Sequence, residues 1–378
     1  MQRIIYPYNE ILPKKTAHDV YIVHQCEALA KAGFEISLLC GSGSLNDQAL
    51  FDHYKVTTPF PIKRLPIVRK NNPLNLSWNK PFFFFTQREI NRSRPGHLFL
   101  SVLKQGEYHL KRKLPSVRYI YEAHQLSYYP HTPFDKSLFE REKEMLSHTD
   151  LVTVPTRAMQ TILQQPPYSL TTPVEVVPLA VNATPLPPPP SNPLTLMYVG
   201  QLYAGQGLPL LLQALSHTQN WRLKIVGGKP EEIEKLSVLS SKLGIEDRVE
   251  LMGFQPPSAL REIVKSSHAF VAPFEAVERM SYVAHTKLYE YAAWGRPMVV
   301  PDLPSVREHF EDQEGVLLFE AGSHSSLANA LIKLENQALR QKLQQKIEQL
   351  DPFSWQKRAT HYTELLKTSN LPFQKKAF

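Results

Sequence analysis

The stretch SYVAHTKLYEYAAWGRPMVVPDLP, residues 281–304, decides the fold around it. It predicts a helix that begins near His285 or Thr286, stops at Gly295 and leads into a buried strand over residues 298–300. Thr286 is the predicted N-cap, because a threonine hydroxyl can accept a hydrogen bond from an amide one turn later. Glycine readily takes the left-handed conformation that ends helices. A helix, a tight stop and a short buried strand together indicate an α/β fold.

Lys287 and Glu290 are three residues apart in the first turn of this predicted helix, so they share one face. A cation, a carboxylate and free backbone amides then meet at a helix N-terminus. That combination suits an anionic group that carries a sugar, as in a nucleotide diphosphate. The simpler interpretation is a surface ion pair that contributes only ~0.3 kcal/mol. This stretch alone favours the simpler interpretation, and its place in the whole chain favours the binding site.

Length and composition restrict the class of protein. The 378 residues suffice for two domains, and 42% hydrophobic and 21% charged residues are typical of a globular protein. We expect no signal peptide, because the start MQRIIYPYNE has no apolar run long enough for one. We also expect no membrane span, because no apolar run of the chain approaches ~20 residues. Cys26 and Cys40 are expected to be buried thiols in a reducing, cytoplasmic compartment. No Cys/His spacing predicts a zinc site.

The positive charge of the chain is concentrated in its first half. Residues 1–182 contain 22 Lys and Arg against 15 Asp and Glu, a net charge of +7 out of +8 for the whole chain. Such an excess can serve solubility alone. It can also attract an anionic bilayer, an acidic acceptor or nucleic acid.

Strands and helices alternate on both sides of a proline-rich segment, which predicts two doubly wound domains. A strand at Arg3–Tyr6, a loop over residues 7–15 and a helix over residues 16–31 open the first series. The segment PLPPPPSNP, residues 185–193, predicts a stiff extended linker. We therefore expect one domain over residues 1–182, a linker over 183–193 and a second domain over 194–355. A C-terminal helix at about 356–378 is expected to complete the first domain, and ligands are expected in a cleft at the carboxyl ends of the strands.

Three glycines follow the predicted strand at residues 196–199, and their spacing indicates whether the second predicted domain binds a dinucleotide. Gly200, Gly205 and Gly207 have the spacing G-x4-G-x-G, and the next strand ends in Gly227 rather than in an acidic residue that would hold a ribose. The pattern disfavours a nicotinamide dehydrogenase. The glycines either let backbone amides approach a phosphate or permit a tight turn.

A histidine follows the predicted strand RYIYEA at residues 118–123. Glu122 and His124 are two residues apart at its carboxyl end, so they point to the same side. His124 is a candidate site residue because ligands bind at this edge of parallel sheets. The alternative is a structural histidine whose hydrogen bonds are satisfied.

Several motifs in order resemble family-4 glycosyltransferases of the GT-B fold. Across about 194–355 they are YVGQLYAGQGLPLLLQAL, LKIVGG, VELMGF, FVAPFEAVERMSYVAHTKLYEYAAWGRPMVV and FSW. In the first domain HQCEALAKAGFEISLLCG, YIYEAHQ and VEVVPLAVN are similar to family segments. The resemblance implies an α/β protein with two Rossmann-like domains facing a central cleft. It also implies sugar transfer with retention, with the donor bound by the second domain and the acceptor by the first.

The resemblance also implies roles for individual residues. Glu290 stands where the second glutamate of the family's E-x7-E signature holds the donor ribose. Lys287 matches a lysine that meets the diphosphate, and His124 a histidine near the donor sugar, so both are candidate catalytic residues. The other residues implied on the donor side are Gly200, Gln201, Gln206, Gly253, Phe254, Arg279, Ser281, Thr286 and Leu288. Those implied to border the acceptor are Lys14, Lys15, Thr16 and His18.

The chain departs from the family pattern at three places. Tyr282 replaces the first glutamate, so the donor sugar must be contacted from elsewhere. Gln201 and Gln206 stand where the family often has two phosphate-facing cations. The loop after the first strand, PYNEILPKKT, is not rich in glycine, which indicates unusual acceptor chemistry.

The expected function is hexose transfer from a nucleotide sugar to a saccharide or lipid-linked acceptor in bacterial surface-polysaccharide biosynthesis. UDP-glucose is the first expectation for the donor and GDP-mannose the second, with no metal or other cofactor required. We expect a cytoplasmic enzyme, with contact between its basic first domain and the inner face of the membrane, and no nucleic acid. The alternatives are a non-catalytic sugar-nucleotide-binding subunit, a basic membrane-surface or nucleic-acid-binding protein, and a GT-B epimerase or phosphorylase.

Overall fold

The computed structural model describes residues 3–14, 16–69, 78–126, 135–182, 184–191, 193–350 and 354–368. The chain divides into two compact units. The first unit consists of Met1–Pro155, Met159–Pro178 and Trp355–Phe378, and the second of Thr156–Ala158 and Leu179–Ser354. Each unit is built around one parallel sheet with helices in the connections, which confirms the predicted α/β class.

The first unit contains a seven-stranded parallel sheet. Its strands are β1 (Arg3–Ile11), β2 (Glu35–Gly41), β3 (Ile62–Leu65), β4 (His97–Leu100), β5 (Arg118–Glu122), β6 (Leu151–Val154) and β7 (Val174–Val176). The connecting helices are α1 (Ala17–Lys31), α2 (Asp47–Tyr54), α3 (Lys80–Ser93), α4 (Leu103–Leu110), α5 (Lys136–Ser147) and α6 (Arg157–Gln164). The spatial order β3-β2-β1-β4-β5-β6-β7 puts the switch point between β1 and β4. Ligands of such sheets bind outside the carboxyl ends of the strands at that point.

The second unit repeats this plan with six parallel strands. They are β8 (Thr195–Val199), β9 (Arg222–Val226), β10 (Val249–Gly253), β11 (Ala269–Val271), β12 (Met298–Pro301) and β13 (Val316–Phe319), in the order β10-β9-β8-β11-β12-β13. Its helices are α7 (Leu208–Ser216), α8 (Pro230–Lys242), α9 (Pro257–Val264), α10 (Thr286–Ala293), α11 (Pro304–Arg307), α12 (His324–Leu334) and α13 (Gln337–Gln349). The switch point lies between β8 and β11, next to the start of the loop that carries Gln206.

Central strands of both sheets are apolar on both faces, as expected where helices cover a parallel sheet on either side. All four residues of β4 and all four of β12 are buried. In the second unit the core includes the fully buried Trp221, whose indole N–H donates to the Leu331 carbonyl at 2.9 Å. That bond satisfies the one polar atom of the side chain.

Two sequence-based expectations for the first unit are wrong. The predicted loop over residues 7–15 begins too early, because β1 continues to Ile11. Pro7 lies opposite Leu39 of β2, and the register between the two strands shifts directly after it. The ladder to β4 covers only Ile4 and Ile5, so Pro7 stands where the regular pairing ends, a place where a sheet tolerates proline. The sequence also predicts a short strand over residues 98–103. The strand spans His97–Leu100 instead, and Leu103 begins α4.

The proline-rich segment packs against the second unit. Residues 184–191 form neither helix nor strand. The amide of Leu186 donates to the Trp294 carbonyl at 3.1 Å. The fully buried guanidinium of Arg296 donates to the carbonyls of Pro187 and, at 3.0 Å, Ser267. The boundary between the units accordingly falls after Pro178.

The last described helix, α14 (Trp355–Thr368), returns to the first unit and packs on α1. Its Arg358, 2% exposed, reaches the Glu122 carboxylate at 3.2 Å, which is 1% exposed at the end of β5. Arg358 also donates to the Val177 carbonyl at 2.7 Å, and Glu122 accepts from the Tyr362 hydroxyl at 2.5 Å. Burial acts to raise the pKa of Glu122, but Arg358 and the hydrogen bonds outweigh it, so that pKa lies below its usual value.

Replacing Arg358 by glutamine is expected to destabilise the first unit by about 3–5 kcal/mol, because Glu122 would stay buried without its cation. The free energy of unfolding in urea measures this loss. Lys367→Gln removes the same charge from an exposed position of the same helix. It should change the free energy by less than about 0.5 kcal/mol. Equal effects of the two substitutions would contradict the structural role of the buried pair.

Candidate active site

Lys287 is anchored against the end of β8. Its ammonium donates to the Tyr198 hydroxyl at 2.7 Å and to the Gln206 side-chain oxygen at 2.5 Å. It also lies 4.2 Å from the centroid of the Tyr198 ring, within range of a cation–π contact. Tyr198 belongs to β8 and Gln206 to the loop after it, so one ammonium joins α10 to the carboxyl edge of the sheet. This arrangement differs from a simple surface pair with Glu290.

Glycines make the approach of Lys287 possible. A β-carbon on Gly200 would lie 2.9 Å from the Lys287 nitrogen, and the φ of Gly200 is +151°. A β-carbon on Gly227, at φ +119°, would lie 2.0 Å from the Gly200 carbonyl oxygen. Side chains at these positions would separate the ends of β8 and β9 and displace the ammonium. Close packing of the strand ends is therefore one function of these glycines.

Burial changes the acidity of both candidate charges in α10. It lowers the pKa of Lys287 to about 7, although the negative charge of Glu290 opposes the change. The Glu290 side chain is accessible at the surface, but the surrounding protein removes enough water to raise its pKa to about 7, with Lys287 opposing. Near neutral pH both groups therefore gain or lose protons readily. A bound anion would favour the charged lysine.

The N-cap of α10 is His285, and Thr286 is the first helical residue, so the prediction of Thr286 as N-cap is wrong. The His285 ring stacks on Phe274 with centroids 4.0 Å apart, and its Nε2 lies 3.0 Å from the Met280 carbonyl. This packing holds His285 in the capping position. The His285 side chain accepts no hydrogen bond from the first-turn amides of α10, as expected where an anion is to bind at a helix start.

The remaining donor-side candidates lie on other loops of the second unit. Gln201 is exposed, and its carbonyl accepts from the Tyr198 hydroxyl at 2.5 Å. Gly253 ends β10, and the Phe254 ring that follows is 51% exposed. Leu288 is buried and serves the core. Two further candidates, Arg279 and Ser281, lie in the 3₁₀ turn Glu278–Ser281.

Tyr282, at the place of the missing first glutamate, is 2% exposed. Its carbonyl accepts from the Thr156 hydroxyl at 2.6 Å. The side chain is therefore almost fully enclosed by the protein.

His124 and His18 come together at the carboxyl edge of the first sheet. Their ring centroids are 5.6 Å apart, with Tyr21 packed on His124 at 4.7 Å and Tyr8 on His18 at 5.4 Å. Burial lowers the pKa of His124 to about 4, against the opposing charge of Glu122, and also lowers the pKa of His18. Both rings are thus neutral near pH 7. The Nε2 atom of each is buried and makes no hydrogen bond to the described residues.

Lys14 and Thr16 border the same part of the first unit. The Lys14 ammonium pairs with the Glu10 carboxylate at 2.8 Å. The Thr16 amide donates to Asp19 at 3.0 Å, and Asp19, fully buried, also accepts from the Tyr54 hydroxyl at 2.5 Å. Lys15, the other candidate of this group, lies outside the described residues.

Asp19 and Tyr198 were missed by the sequence analysis, although both position candidate residues. The spacing Thr-x-x-Asp at the start of α1 is a capping-box signal that could have identified Asp19. Tyr198 gives no such signal, because its role depends on a lysine 89 residues away.

Two properties of the described part of the chain bear on function. None of its helices combines the length and hydrophobicity required to cross a bilayer. Within the same residues, no group of three or more His, Cys, Asp or Glu side chains could hold a metal ion.

Two family models match the chain in succession. Residues 19–184 match the model described as Glycosyltransferase Family 4, and residues 193–337 match the model described as Glycosyl transferases group 1. No curated protein sequence matches the chain significantly.

Solved structures similar to this one cover nearly the whole chain. Sucrose-phosphate synthase from Thermosynechococcus elongatus superimposes with a TM-score of 0.77 at 17% identity, covering 97% of this chain and 98% of the other. Anabaena Alr3699/HepE in complex with UDP gives 0.76 at 13% identity, covering 97% and 100%. A mutant of S. aureus TarM, in complex with Fondaparinux, alpha-GlcNAc-glycerol and UDP, gives 0.73 at 10% identity, again covering 97% and 100%. These likenesses show the fold, and together with the two family models they identify the chain as a GT-B glycosyltransferase that resembles family 4.

Proposed function

We propose that the chain transfers a hexose from a nucleoside-diphosphate sugar to a saccharide or lipid-linked saccharide, with retention at the anomeric carbon. The observation that carries the proposal is the Lys287 ammonium, held by Tyr198 and Gln206 beside the uncapped start of α10. A cation and free amides at one point bind a diphosphate. Glu290, one turn further along α10, is suited to accept two ribose hydroxyls.

UDP-glucose is the proposed donor, with GDP-mannose as the second choice. Support comes from Alr3699/HepE, which has been crystallised with UDP and with UDP-glucose. The exposed ring of Phe254, directly after β10, offers a surface for the base. The loop between β8 and α7 contains no Lys or Arg that would attract an acidic sugar, which supports a neutral sugar.

Gln206 and Lys287 are proposed to act as one unit. The glutamine oxygen accepts a hydrogen bond from the ammonium at 2.5 Å, which a lysine at position 206 could not do. The replacement of an expected cation by Gln206 therefore goes together with the presence of Lys287. The charge of the diphosphate would be neutralised by Lys287 and by the start of α10. Arg279, eight residues before Lys287 in the sequence, is proposed as a further cation at this site.

In the first unit, His124 and His18 are proposed to contact hydroxyl groups through their buried Nε2 atoms. Lys14, Lys15 and Thr16 are assigned to the acceptor side. No residue is assigned as a covalent nucleophile. The leaving phosphate would take the acceptor proton on the same face of the sugar, while the protein supplies positioning and charge stabilisation. We place the reaction in cytoplasmic assembly of surface polysaccharide.

A non-catalytic sugar-nucleotide-binding subunit is the second candidate. The buried Tyr282 favours it, because the carboxylate of the family signature is missing. Slow release of free sugar from a nucleotide sugar without acceptor would exclude it, since a binding subunit has no means to break the glycosidic bond.

Nucleotides that fit the second unit should raise its melting temperature. We expect stabilisation by UDP and UDP-glucose, and none by GDP, ADP or their sugars. A ligand at 100 times its Kd adds ~2.7 kcal/mol. Glu290→Ala should lose most of the shift because the ribose contact is gone. Glu234→Ala removes an exposed carboxylate from α8 and should keep the shift. A shift retained in Glu290→Ala would refute the ribose assignment, and no shift with any nucleotide would refute the donor site.

The affinity for UDP-glucose should be greatest near pH 7, because the pKa values of Lys287 and Glu290 both lie at about 7. At higher pH Lys287 loses the proton that attracts the diphosphate, and at lower pH Glu290 gains a proton and no longer accepts two hydroxyls. Each limb should approach a change of about tenfold per pH unit. Titration calorimetry from acid to alkaline pH measures both.

Two variants separate the loss of affinity at acid pH, the acidic limb, from the loss at alkaline pH, the alkaline limb. Lys287→Arg stays charged throughout this range and should remove the alkaline limb. Glu290→Gln cannot titrate and should remove the acidic limb. An alkaline limb that persists in Lys287→Arg would show that another group controls diphosphate binding.

Gly200→Ala should weaken donor binding by up to about 100-fold, because its methyl group would displace the Lys287 ammonium. Gly33→Ala is the matched control. It also places alanine at a positive φ, +91°, but its β-carbon would meet nothing within 4 Å. Both variants should lose stability through backbone strain, whereas only Gly200→Ala should lose affinity for UDP-glucose. Equal affinities of the two variants would contradict the assigned position of Lys287.

A further inference from the structure

We propose that one face of α3 docks the first unit on an anionic lipid bilayer. The two most exposed large hydrophobic side chains of the described residues lie here. Phe84, in α3, is 56% exposed, and Trp78, two residues before the helix, is 53% exposed. Neither ring has a role in the core of the unit.

The exposed residues of α3 form one continuous stripe. They are Lys80, Phe84, Arg88, Asn91 and Arg92. At ~100° per residue their side chains fall within an arc of about 120°. The opposite side of the helix is buried, at Phe82, Phe83, Thr86, Gln87 and Ile90. The stripe and Trp78 are called the α3 face below.

All charged side chains of the α3 face are basic. The single acidic residue of the helix, Glu89, lies outside the stripe and pairs with Lys63 on β3. Phe84 and three cations therefore lie on one side of the helix, Trp78 lies two residues before its start, and the one carboxylate of the helix is paired with Lys63. The basic balance of residues 1–182 adds to the same attraction.

A bilayer surface satisfies both parts of this face at once. Tryptophan and phenylalanine rings enter the headgroup region, while lysine and arginine stems extend and their charges reach the lipid phosphates. The Phe84 ring packs edge-on against Phe85 at 5.3 Å, which holds it in place at the surface. Because no described helix can cross a bilayer, the contact would be peripheral.

The biological role of this docking rests on the proposed function, because a lipid-linked acceptor would be embedded in such a bilayer. Its test needs no nucleotide sugar, so docking and transfer can fail separately. Co-sedimentation with vesicles of equal parts phosphatidylglycerol and phosphatidylcholine measures the partition coefficient, and pure phosphatidylcholine vesicles report the contribution of lipid charge.

The wild type should bind the anionic vesicles and bind the neutral ones much less. The double variant Trp78→Ser, Phe84→Ser should lower the partition coefficient about tenfold or more, because the apolar surface that enters the bilayer is lost. Arg88→Gln should lower it roughly fivefold, the contribution of one basic residue near an anionic surface. All these side chains are exposed, so unchanged circular dichroism and Tm are expected.

Helix α8 offers a matched control. Val238 is 51% exposed between the exposed Lys235 and Lys242, but the same helix carries Glu231 and Glu234. Val238→Ser and Lys235→Gln should leave the partition coefficient unchanged. Equal losses from the α8 and α3 variants would overturn the proposal.

Two further outcomes would also overturn it. In the first, Arg88→Gln weakens binding but the aromatic double variant does not, which would show adsorption by charge alone. In the second, the wild type ignores both kinds of vesicle but binds a DNA duplex through these residues, which would make the α3 face a nucleic-acid surface.

Discussion

The ammonium of Lys287 holds three parts of the second unit in one place. It links the strand that supplies Tyr198, the loop that supplies Gln206 and the helix that supplies Glu290. A buried lysine of this kind is costly unless its charge is stabilised, and its pKa of about 7 reflects that cost. An anion bound beside it would relieve the same cost. An anion bound here would therefore gain part of its affinity from a charge that the protein alone stabilises poorly.

The first unit stabilises a buried negative charge, the carboxylate of Glu122. This carboxylate is fully enclosed, and Arg358 together with tyrosine hydroxyls keeps it charged. Two residues further along the chain, His124 is neutral and packs against His18. One strand end therefore places a fixed charge in the interior and an uncharged imidazole at the edge of the sheet. Neutral imidazoles can both donate to and accept from hydroxyl groups, which suits a carbohydrate ligand.

Alternating apolar runs and helix stops predicted the alternation of strands and helices in the second unit, including the helix that carries Lys287, but they left the layout of residues 44–115 in the first unit open. The failures have physical causes. Pro7 continues a strand because the ladder to β4 ends at Ile5 and the register with β2 shifts just after Pro7, which is a property of the sheet and not of the residue. Thr286 is not the N-cap because His285 is held there by stacking on Phe274. The partnership of Lys287 with Tyr198 joins residues far apart in sequence, and local patterns carry no information about such contacts.

Helix α14 gives the protein an unusual order of completion. The strands that form the centre of the first unit are synthesised first, but Arg358 leaves the ribosome only after residues 179–354, the main part of the second unit, have been made. Until then Glu122 has no cation, and the surface of α1 that α14 covers stays open to water. The second unit is continuous over that stretch and can fold as it emerges. The unit that is made first therefore becomes whole last, after the second unit has been made.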